Sequence, residues 1–349
     1  MPRNVVDTPM QIQVDAQWQT SLDDYVIDAK WSPDGKIIAA AAVSGPVACI
    51  EAGGGSPRWS IHAHGFGTTE VTWHPGLEML TSAGQDGTIR HWDPENGAEL
   101  ASMEGGDSWV EHVAWNPNGK QLATAAGRKL RLWDPTGRLL REFDQHDSTI
   151  ADIAWEPGSG DLVSGSYGAL KFWNVSSDKP VRVFEWRGSI LTIACSPDGK
   201  YIATGDQDST VHFWIVKTGK DLQMWGYPTK VRELSWNARG TMLATGGGPT
   251  VAVWNCAGRG PEGREPILLD VHEGVVSALA FHPRLNILAS ADETGHLAFW
   301  EPGGYDEPLE QLVVDGAVSV LQWSPDGDSL LLGTETGAIG RVDVDSNRS

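Results

Sequence analysis

The chain has 349 residues, with 46 Asp and Glu against 26 Lys and Arg, so its formal net charge at pH 7 is −20. A field of this sign opposes non-specific binding to nucleic-acid phosphates and favours a basic partner. The three cysteines form no CxxC pair and no metal-ligand spacing, so we expect a reducing, cytoplasmic setting and no bound metal. No apolar run has the length of a signal peptide or a membrane span, and no membrane association is expected.

A short motif, an aromatic residue or cysteine followed by a turn, recurs eight times at intervals of 40 to 45 residues. Apolar residues stand two and five places before nearly every copy, which predicts a short first strand with one apolar side. A period of this length is typical of four-stranded propeller blades. We call the motif residues the anchors and number the repeats by them: Trp31, Trp73, Trp115, Trp155, Cys195, Trp236, Phe281 and Trp323.

Three further strands follow each anchor. A turn such as Pro-Asp-Gly leads into a second strand, and a second turn leads into a third. A fourth strand, such as ELASME or LLREFD, precedes the next repeat. Six third strands end on a tryptophan 18 or 19 residues after the anchor: Trp92, Trp133, Trp173, Trp214, Trp254 and Trp300.

The two ends of the chain complement each other. The eighth repeat lacks a fourth strand, whereas a surplus strand with Trp18 precedes the first repeat. Pairing the two would hide the sheet edges that an open array leaves exposed. The predicted fold is therefore all-β: a single closed β-propeller of eight four-stranded blades, with the N-terminal strand completing the last blade. We expect the propeller at residues 11–345, between tails at 1–10 and 346–349.

The best-formed repeat has His64 nine residues before its anchor, followed by TSAGQDGTIRHWD with Ser82, Asp86 and Trp92. This combination resembles the WD-repeat (WD40) family. The resemblance implies that the four side chains form a hydrogen-bonded brace within one blade. A nucleophilic triad is the competing reading, but the same positions recur in repeats with missing members, which is expected of a brace.

The equivalent positions differ in other repeats. In the fifth repeat Trp186 stands in the His position and Asp208 in the Asp position. In the seventh repeat Thr294 stands where the Asp is expected.

Candidate binding residues fall on the predicted loops and at the start of the innermost strands. Tyr25, Trp109 and Tyr167 are large aromatic residues on loops, and in the family such loops lie on the face commonly used for partner contacts. Four carboxylates and a histidine stand three places before their anchors. They either hydrogen-bond to neighbouring blades and solvent, or form an acidic rim at the channel mouth that receives a cation or a basic peptide. These residues are Asp28, Glu70, His112, Asp152 and Glu233.

No GxSxG, GxxxxGK or HExxH motif occurs, so no catalytic set stands out. We expect a cytoplasmic protein-interaction scaffold or adaptor without a cofactor. Its partner should be a protein with a basic segment, bound on the loop face near the channel mouth. Two alternatives stay open: an enzyme or enzyme subunit with a channel-mouth active site, and a metal-handling protein that uses the acidic rim.

Overall fold

The computed structural model describes residues 10–106, 109–144, 146–305 and 307–347; residue 347 alone is described by its backbone only. Residues 1–9 and 348–349, which fall in the two predicted tails, lie outside the described residues. Within these ranges no helix is long and apolar enough to cross a membrane.

Strands make up all the regular structure of these ranges. In chain order they are β1 (Gln11–Ser21), β2 (Val26–Trp31), β3 (Ile37–Ala42), β4 (Pro46–Glu51), β5 (Pro57–His62), β6 (Thr68–Trp73), β7 (Leu80–Gly84), β8 (Thr88–Trp92), β9 (Glu99–Glu104) and β10 (Val110–Trp115). Next come β11 (Leu122–Ala126), β12 (Lys129–Trp133), β13 (Leu139–Glu142), β14 (Ile150–Trp155), β15 (Leu162–Trp173), β16 (Arg182–Cys195), β17 (Tyr201–Asp206), β18 (Val211–Ile215), β19 (Lys220–Met224) and β20 (Leu234–Trp236). The last ten are β21 (Met242–Thr245), β22 (Thr250–Asn255), β23 (Ile267–Asp270), β24 (Val276–Phe281), β25 (Leu288–Asp292), β26 (His296–Trp300), β27 (Glu310–Val313), β28 (Val318–Trp323), β29 (Ser329–Thr334) and β30 (Ala338–Asn347).

The strands pair antiparallel into a propeller of seven hydrogen-bonded sheets. Five sheets consist of four consecutive strands: β2–β5, β6–β9, β10–β13, β20–β23 and β24–β27. A sixth sheet joins β28, β29 and β30 to β1, and the seventh has six strands, β14–β19. Antiparallel pairing places the turns between second and third strands, and the connections from outer strands to the next inner strand, on one face. We call it the loop face; the anchor turns open on the opposite face.

The prediction of eight four-stranded blades is wrong: counted as hydrogen-bonded sheets, the blades number seven. Repeats four and five lie in the single six-stranded sheet. The physical reason is the short second turn of repeat four, Tyr167-Gly168, which has no Asp-Gly pair. The chain continues there as the 12-residue strand β15, with a bulge between Tyr167 and Ala169, and Tyr167 pairs with Ser189 in the 14-residue strand β16. One half of β15 pairs with β14 and the other with the first half of β16, whose second half pairs with β17.

The core lies between adjacent sheets, and this explains the residues of the second strands. These strands are packed on both sides, so that β3 (IIAAAA) and β11 (LATAA) are buried over almost their whole length. Small side chains allow the sheets to approach closely near the centre of the ring. A typical cluster joins Ala39 and Val47 of one sheet to Val71 and Leu80 of the next.

The anchor tryptophans also tie neighbouring repeats together. Except at Trp115, whose Nε1 donates to Thr81 Oγ1, the indole Nε1 donates to the backbone carbonyl of the residue before the preceding anchor, for example from Trp73 to Lys30 (2.9 Å) and from Trp155 to Ala114 (3.0 Å). The same bond runs from Trp236 and Trp323. Trp31 donates to Gln322 (3.1 Å) and so joins the first repeat to the last. The anchors therefore serve packing and bracing between repeats.

The predicted closure by the N-terminal strand is confirmed. β1 pairs with β30 from Gln11 opposite Asn347 to Ser21 opposite Ala338. A bulge between Ala16 and Trp18 changes the side to which the strand directs its apolar residues. Ile12 packs on the cluster of the last two sheets and Trp18 on that of the first, where its Nε1 donates to the Ala52 carbonyl at 2.8 Å.

Candidate functional site

The predicted brace of repeat two forms as a continuous buried chain. The Nε2 atom of His64 lies 2.7 Å from Ser82 Oγ, which also accepts the Trp92 Nε1–H at 2.8 Å. The other ring nitrogen, Nδ1, lies 3.0 Å from Asp86 Oδ1. Gly84 leaves room for the ring, because a Cβ there would lie 2.2 Å from His64 Cγ. Burial lowers the pKa of His64, so the ring is neutral at pH 7.

Two substitutes for brace members were missed by sequence reasoning. In repeat seven the carboxylate near His272 Nδ1 belongs to Asp292 (3.3 Å), two residues nearer to Ser290 than the expected Thr294 position. In repeat six Tyr227 occupies the His position, and its hydroxyl lies 2.9 Å from Thr245 Oγ1 and accepts Trp254 Nε1–H at 3.0 Å. The available signal for Tyr227 was a polar residue nine places before the anchor, and for Asp292 it was a carboxylate two places from the expected position.

Repeat five departs from the pattern because its brace is broken. Trp186 stands in the His position, and its Nε1 has no hydrogen-bond partner, nor does that of Trp214. The prediction of Asp208 as the brace carboxylate is not what the structure shows: Asp208 is exposed, and the fully buried carboxylate is Asp206. Asp206 Oδ1 and both ring nitrogens of His212 also lack a hydrogen-bond partner, although Asp221 Oδ2 lies 3.3 Å from His212 Nδ1. Five of the nine unpaired buried side-chain atoms in the described residues thus lie in this one repeat.

Replacing His64 by alanine should lower the free energy of unfolding by about 1–3 kcal/mol, because Ser82 and Asp86 would lose a buried partner. Urea unfolding at pH 7 measures this. His62→Ala, a change at an exposed neighbour, is the control and should leave the midpoint unchanged. An unaltered His64→Ala unfolding curve would show that the contacts do not brace the sheet.

The predicted rim residues of repeats one to four form a linked series along the channel wall. Lys30 Nζ lies 3.1 Å from Asp28 Oδ2 and 3.0 Å from Glu70 Oε1. His112 Nδ1 follows, 3.6 Å from Glu70 Oε2 and 3.9 Å from Asp152 Oδ1. The carboxylates therefore alternate with cationic groups, a feature that the prediction of an acidic rim did not include.

The same carboxylates hold the next repeat by its backbone. Asp28 accepts the Val71 N–H at 3.0 Å, Glu70 accepts that of Val113 at 2.9 Å, and Asp152 accepts that of Ile193 at 2.6 Å. Hydrogen bonding to neighbouring repeats, one of the two readings of this pattern, therefore occurs at three positions. Glu233 makes no such bond; its carboxylate accepts the Arg232 N–H at 3.3 Å.

The contacts between these carboxylates, Lys30 and His112 determine which groups on the channel wall are ionised. Burial disfavours the ionised forms, and it raises the pKa of Asp28 and Asp152. At Glu70, Lys30 and His112 outweigh burial and lower the pKa to about 2. At His112 burial is outweighed by the contact with Glu70 and the charge of Asp152, which raise its pKa to about 9. His112 is therefore a cation at neutral pH.

A cavity of about 620 Å³ opens at the channel mouth on the loop face. Trp109 lines it and is 54% exposed, and beside it lie Glu111, His112, Asp152 and Arg232. Three of the predicted binding residues, Trp109, His112 and Asp152, thus share one cavity. The structure combines there an exposed aromatic ring, charges of both signs and several Thr hydroxyls.

The other predicted binding residues lie apart from this cavity. Tyr25 is half-buried, and burial raises its pKa. Tyr167 is 61% exposed, but it stands in strand β15 and not in a turn. Asp28 and Glu70 do not line the cavity, although Glu70 Oε2 lies 3.6 Å from His112 Nδ1. Phe66 (79% exposed) and Trp225 (76% exposed), both in connections on the loop face, were not predicted. At Phe66 the available signal was that no other repeat has an apolar residue at the same distance before its anchor.

No group of three or more His, Cys, Asp or Glu side chains in the described ranges is arranged to hold a metal ion. The cysteines show no sign of reactivity, since burial raises the pKa of Cys195 and Cys256 to about 12.

Comparison with curated proteins finds WD-repeat relatives. The chain is 22% identical over 82% of its length to the WD repeat-containing protein slp1 of Schizosaccharomyces pombe, covering 52% of that protein. It is 22% identical over 74% of its length to the target of rapamycin complex subunit wat1 of the same organism, covering 57% of it. A shorter segment, 16% of the chain, is 40% identical to eukaryotic translation initiation factor 3 subunit I of Pyricularia oryzae, covering 17% of that protein. The matches thus span less than two thirds of each relative.

Among solved structures, the crystal structure of the computationally designed Ika8 protein superposes with a TM-score of 0.81. The match covers 94% of this chain and 99% of the designed one at 22% sequence identity, which shows a shared fold and nothing further.

The sequence profile described as "WD domain, G-beta repeat" matches residues 55–93, 97–134, 137–174, 178–214 and 264–301. These segments together make up more than half of the chain. They contain the His and Ser residues of repeats two, four and seven, where the Nε2 atoms of His64, His146 and His272 lie 2.7, 2.8 and 2.7 Å from Ser82, Ser164 and Ser290 Oγ. The chain therefore belongs to the WD40 family.

Proposed function

We propose that this protein is an interaction scaffold or adaptor that binds a protein partner on the loop face near the channel mouth. The observation that carries the proposal is the cavity lined by Trp109, His112 and Asp152 on a closed, rigid ring. An aromatic residue at the edge of a concave site is typical of a binding hot spot. The relatives support this reading, because two of them are named as subunits of a translation factor and of a target of rapamycin complex.

The partner segment that fits this cavity is basic. Glu111 and Asp152 border it, and the net charge of −20 attracts cations to the protein as a whole. His112 and Arg232 limit the negative potential, so the indole ring of Trp109 should supply much of the affinity and the carboxylates the orientation. Charge of this kind acts mainly on the association rate and weakens as salt is added.

Binding accounts for the arrangement better than catalysis does. The His64, Ser82 and Asp86 contacts recur as a structural theme in other repeats, and the channel-wall carboxylates are engaged with backbone N–H groups. We therefore propose a non-enzymatic role without cofactor or nucleic acid. We also propose a cytoplasmic location, supported by the likeness of one segment to a translation initiation factor subunit.

Trp109→Ala should reduce partner capture by about tenfold or more, which corresponds to about 1.4 kcal/mol, because truncation removes the aromatic anchor of the cavity. Affinity purification from the native cell with quantified bound proteins identifies the partner, and titration of that partner measures the loss. The melting temperature should stay unchanged because the ring is exposed.

Leu77→Ala is the matched control, since Leu77 is 53% exposed on the opposite face. It should capture the partner as the parent does. Equal capture by the Trp109 variant and the parent would place the partner elsewhere on the ring. The enzyme alternative would be favoured if the protein turned over a substrate and mutation of the channel wall abolished that turnover.

A further inference from the structure

Two segments on the loop face are held side by side by the turn of repeat five that follows β17. The first is Trp186–Ser189 within β16, and the second is the connection at residues 225–233 between β19 and β20. The Gln207 N–H of the turn donates to the Ser189 carbonyl (2.9 Å), and the Val231 N–H of the connection donates to the Asp206 carbonyl (3.2 Å). The two segments therefore present their outward side chains on one surface.

That surface carries three exposed cations, Arg187, Lys230 and Arg232. None of them forms an ion pair in the described part of the chain, although carboxylates outnumber cations by 46 to 26 overall. Some surface cations are paired, as Arg141 is with Asp178 and Lys171 with Asp147, whereas others such as Lys179 and Arg239 form no ion pair in the described residues; the three cations here are distinguished by lying on two adjoining segments.

The carboxylates nearest to these cations along the chain are engaged with other groups. Glu233 accepts the Arg232 backbone N–H at 3.3 Å, and Asp208 accepts the Thr210 hydroxyl at 2.7 Å. The charges of Arg232 and Lys230 also act on Glu233, but no hydrogen bond or ion pair in the described residues engages the side chains of the three cations.

The connection that carries Lys230 and Arg232 also carries an exposed aromatic residue. Trp225 follows the last residue of β19 and is 76% exposed. The connection that carries it is fixed two residues later by Tyr227, whose hydroxyl is held between Thr245 and Trp254. A second tie is the Thr229 N–H, which donates to the Gly247 carbonyl at 3.0 Å. A ring held outward by an ordered connection loses little entropy when it is covered.

We propose that Arg187, Trp225, Lys230 and Arg232 form a cationic surface that binds an acidic segment of a partner protein. Carboxylates of the segment pair with the three cations, and an apolar side chain of the segment covers the Trp225 ring. The net negative charge of the chain does not prevent this, because screening at physiological salt confines each charge to about 8 Å. This surface is distinct from the Trp109 cavity in the sign of the charge that it takes, and it reaches that cavity only through Arg232.

Fluorescence anisotropy with a labelled synthetic peptide tests the proposal. The probe is a glutamate-rich peptide with a central leucine, and the matched probe has lysines in place of the glutamates. The glutamate peptide should bind and the lysine peptide should not bind at this surface. The double variant Arg187→Glu with Lys230→Glu should weaken binding by about tenfold or more, and Trp225→Ala should weaken it with an unchanged melting temperature.

The control reverses the same number of charges on the opposite face, with Lys179→Glu and Arg239→Glu. These residues are exposed, so the two double variants have the same net charge. Equal weakening by both double variants would show a general charge effect and overturn the proposal, as would absence of binding by the parent. Neither double variant alters Trp109, so the proposed function is tested separately by its own variant.

Discussion

A chain that lacks residues 1–22 should melt at a markedly lower temperature than the full chain and should aggregate. Strand β1 supplies the outer strand of the closing sheet, and its loss would expose the edge of β30 to pairing with other chains. Ile12, Val14 and Trp18 also pack on the clusters of the adjoining sheets. Full burial of one such side chain is worth about 1.5–3 kcal/mol, so the three partly buried ones should contribute roughly 3–5 kcal/mol.

Thermal unfolding with light scattering measures both effects. A chain that lacks only residues 1–8 is the control and should behave as the full chain does. The melting temperature of Trp18→Ala should fall between those of the two truncated chains. The substitution removes the packing on the first sheet and the bond to the Ala52 carbonyl, but it keeps the backbone hydrogen bonds between β1 and β30. A monomeric truncated chain that melts with the full-length protein would refute closure by β1.

Asp206→Asn should stabilise the protein at pH 8 and make its stability less dependent on pH. Asp206 is fully buried and its Oδ1 has no partner; burial, with a smaller contribution from Asp208, raises its pKa to about 8. The unfolded chain releases this proton near pH 4, whereas the folded chain keeps it until about pH 8. Stability therefore falls as pH rises through that window, and the loss is complete above it.

The size of the effect follows from the pKa difference, since each unit corresponds to about 1.4 kcal/mol. Relaxation around the ionised group reduces the full value, and we expect a gain of roughly 2–4 kcal/mol at pH 8 that fades towards pH 4. Urea unfolding of the variant and the parent at each pH gives the difference directly, so that other titrating groups cancel.

Asp208→Asn is the matched control for this measurement, because Asp208 is exposed two residues away. Its difference from the parent should stay small across the same range. A gain from Asp206→Asn that is equally large at pH 4 and pH 8 would assign the effect to packing and not to ionisation.

The sequence by itself determined the local elements of this protein. The anchors, the apolar positions two and five places before them and the tryptophans that end the third strands all reflect requirements of single strands and their immediate neighbours. Closure by β1 was also predictable, because the missing strand at one end matches the surplus strand at the other. The brace of His64, Ser82, Asp86 and Trp92 followed from the family pattern, which records contacts that recur at fixed separations in the chain.

Only the tertiary structure decided how the repeats divide into sheets and which side chains meet between them. Whether a short connection such as Tyr167-Gly168 turns or stays extended depends on the pairing of Tyr167 with Ser189. The neighbours of Glu70 and His112 come from different repeats, so spacing within one repeat could not show that Lys30 and His112 neutralise much of the acidic wall. The exposure of individual side chains was also set by the tertiary structure. Asp206 is buried while Asp208 lies in solvent, and Trp225 is exposed although most tryptophans here are packed.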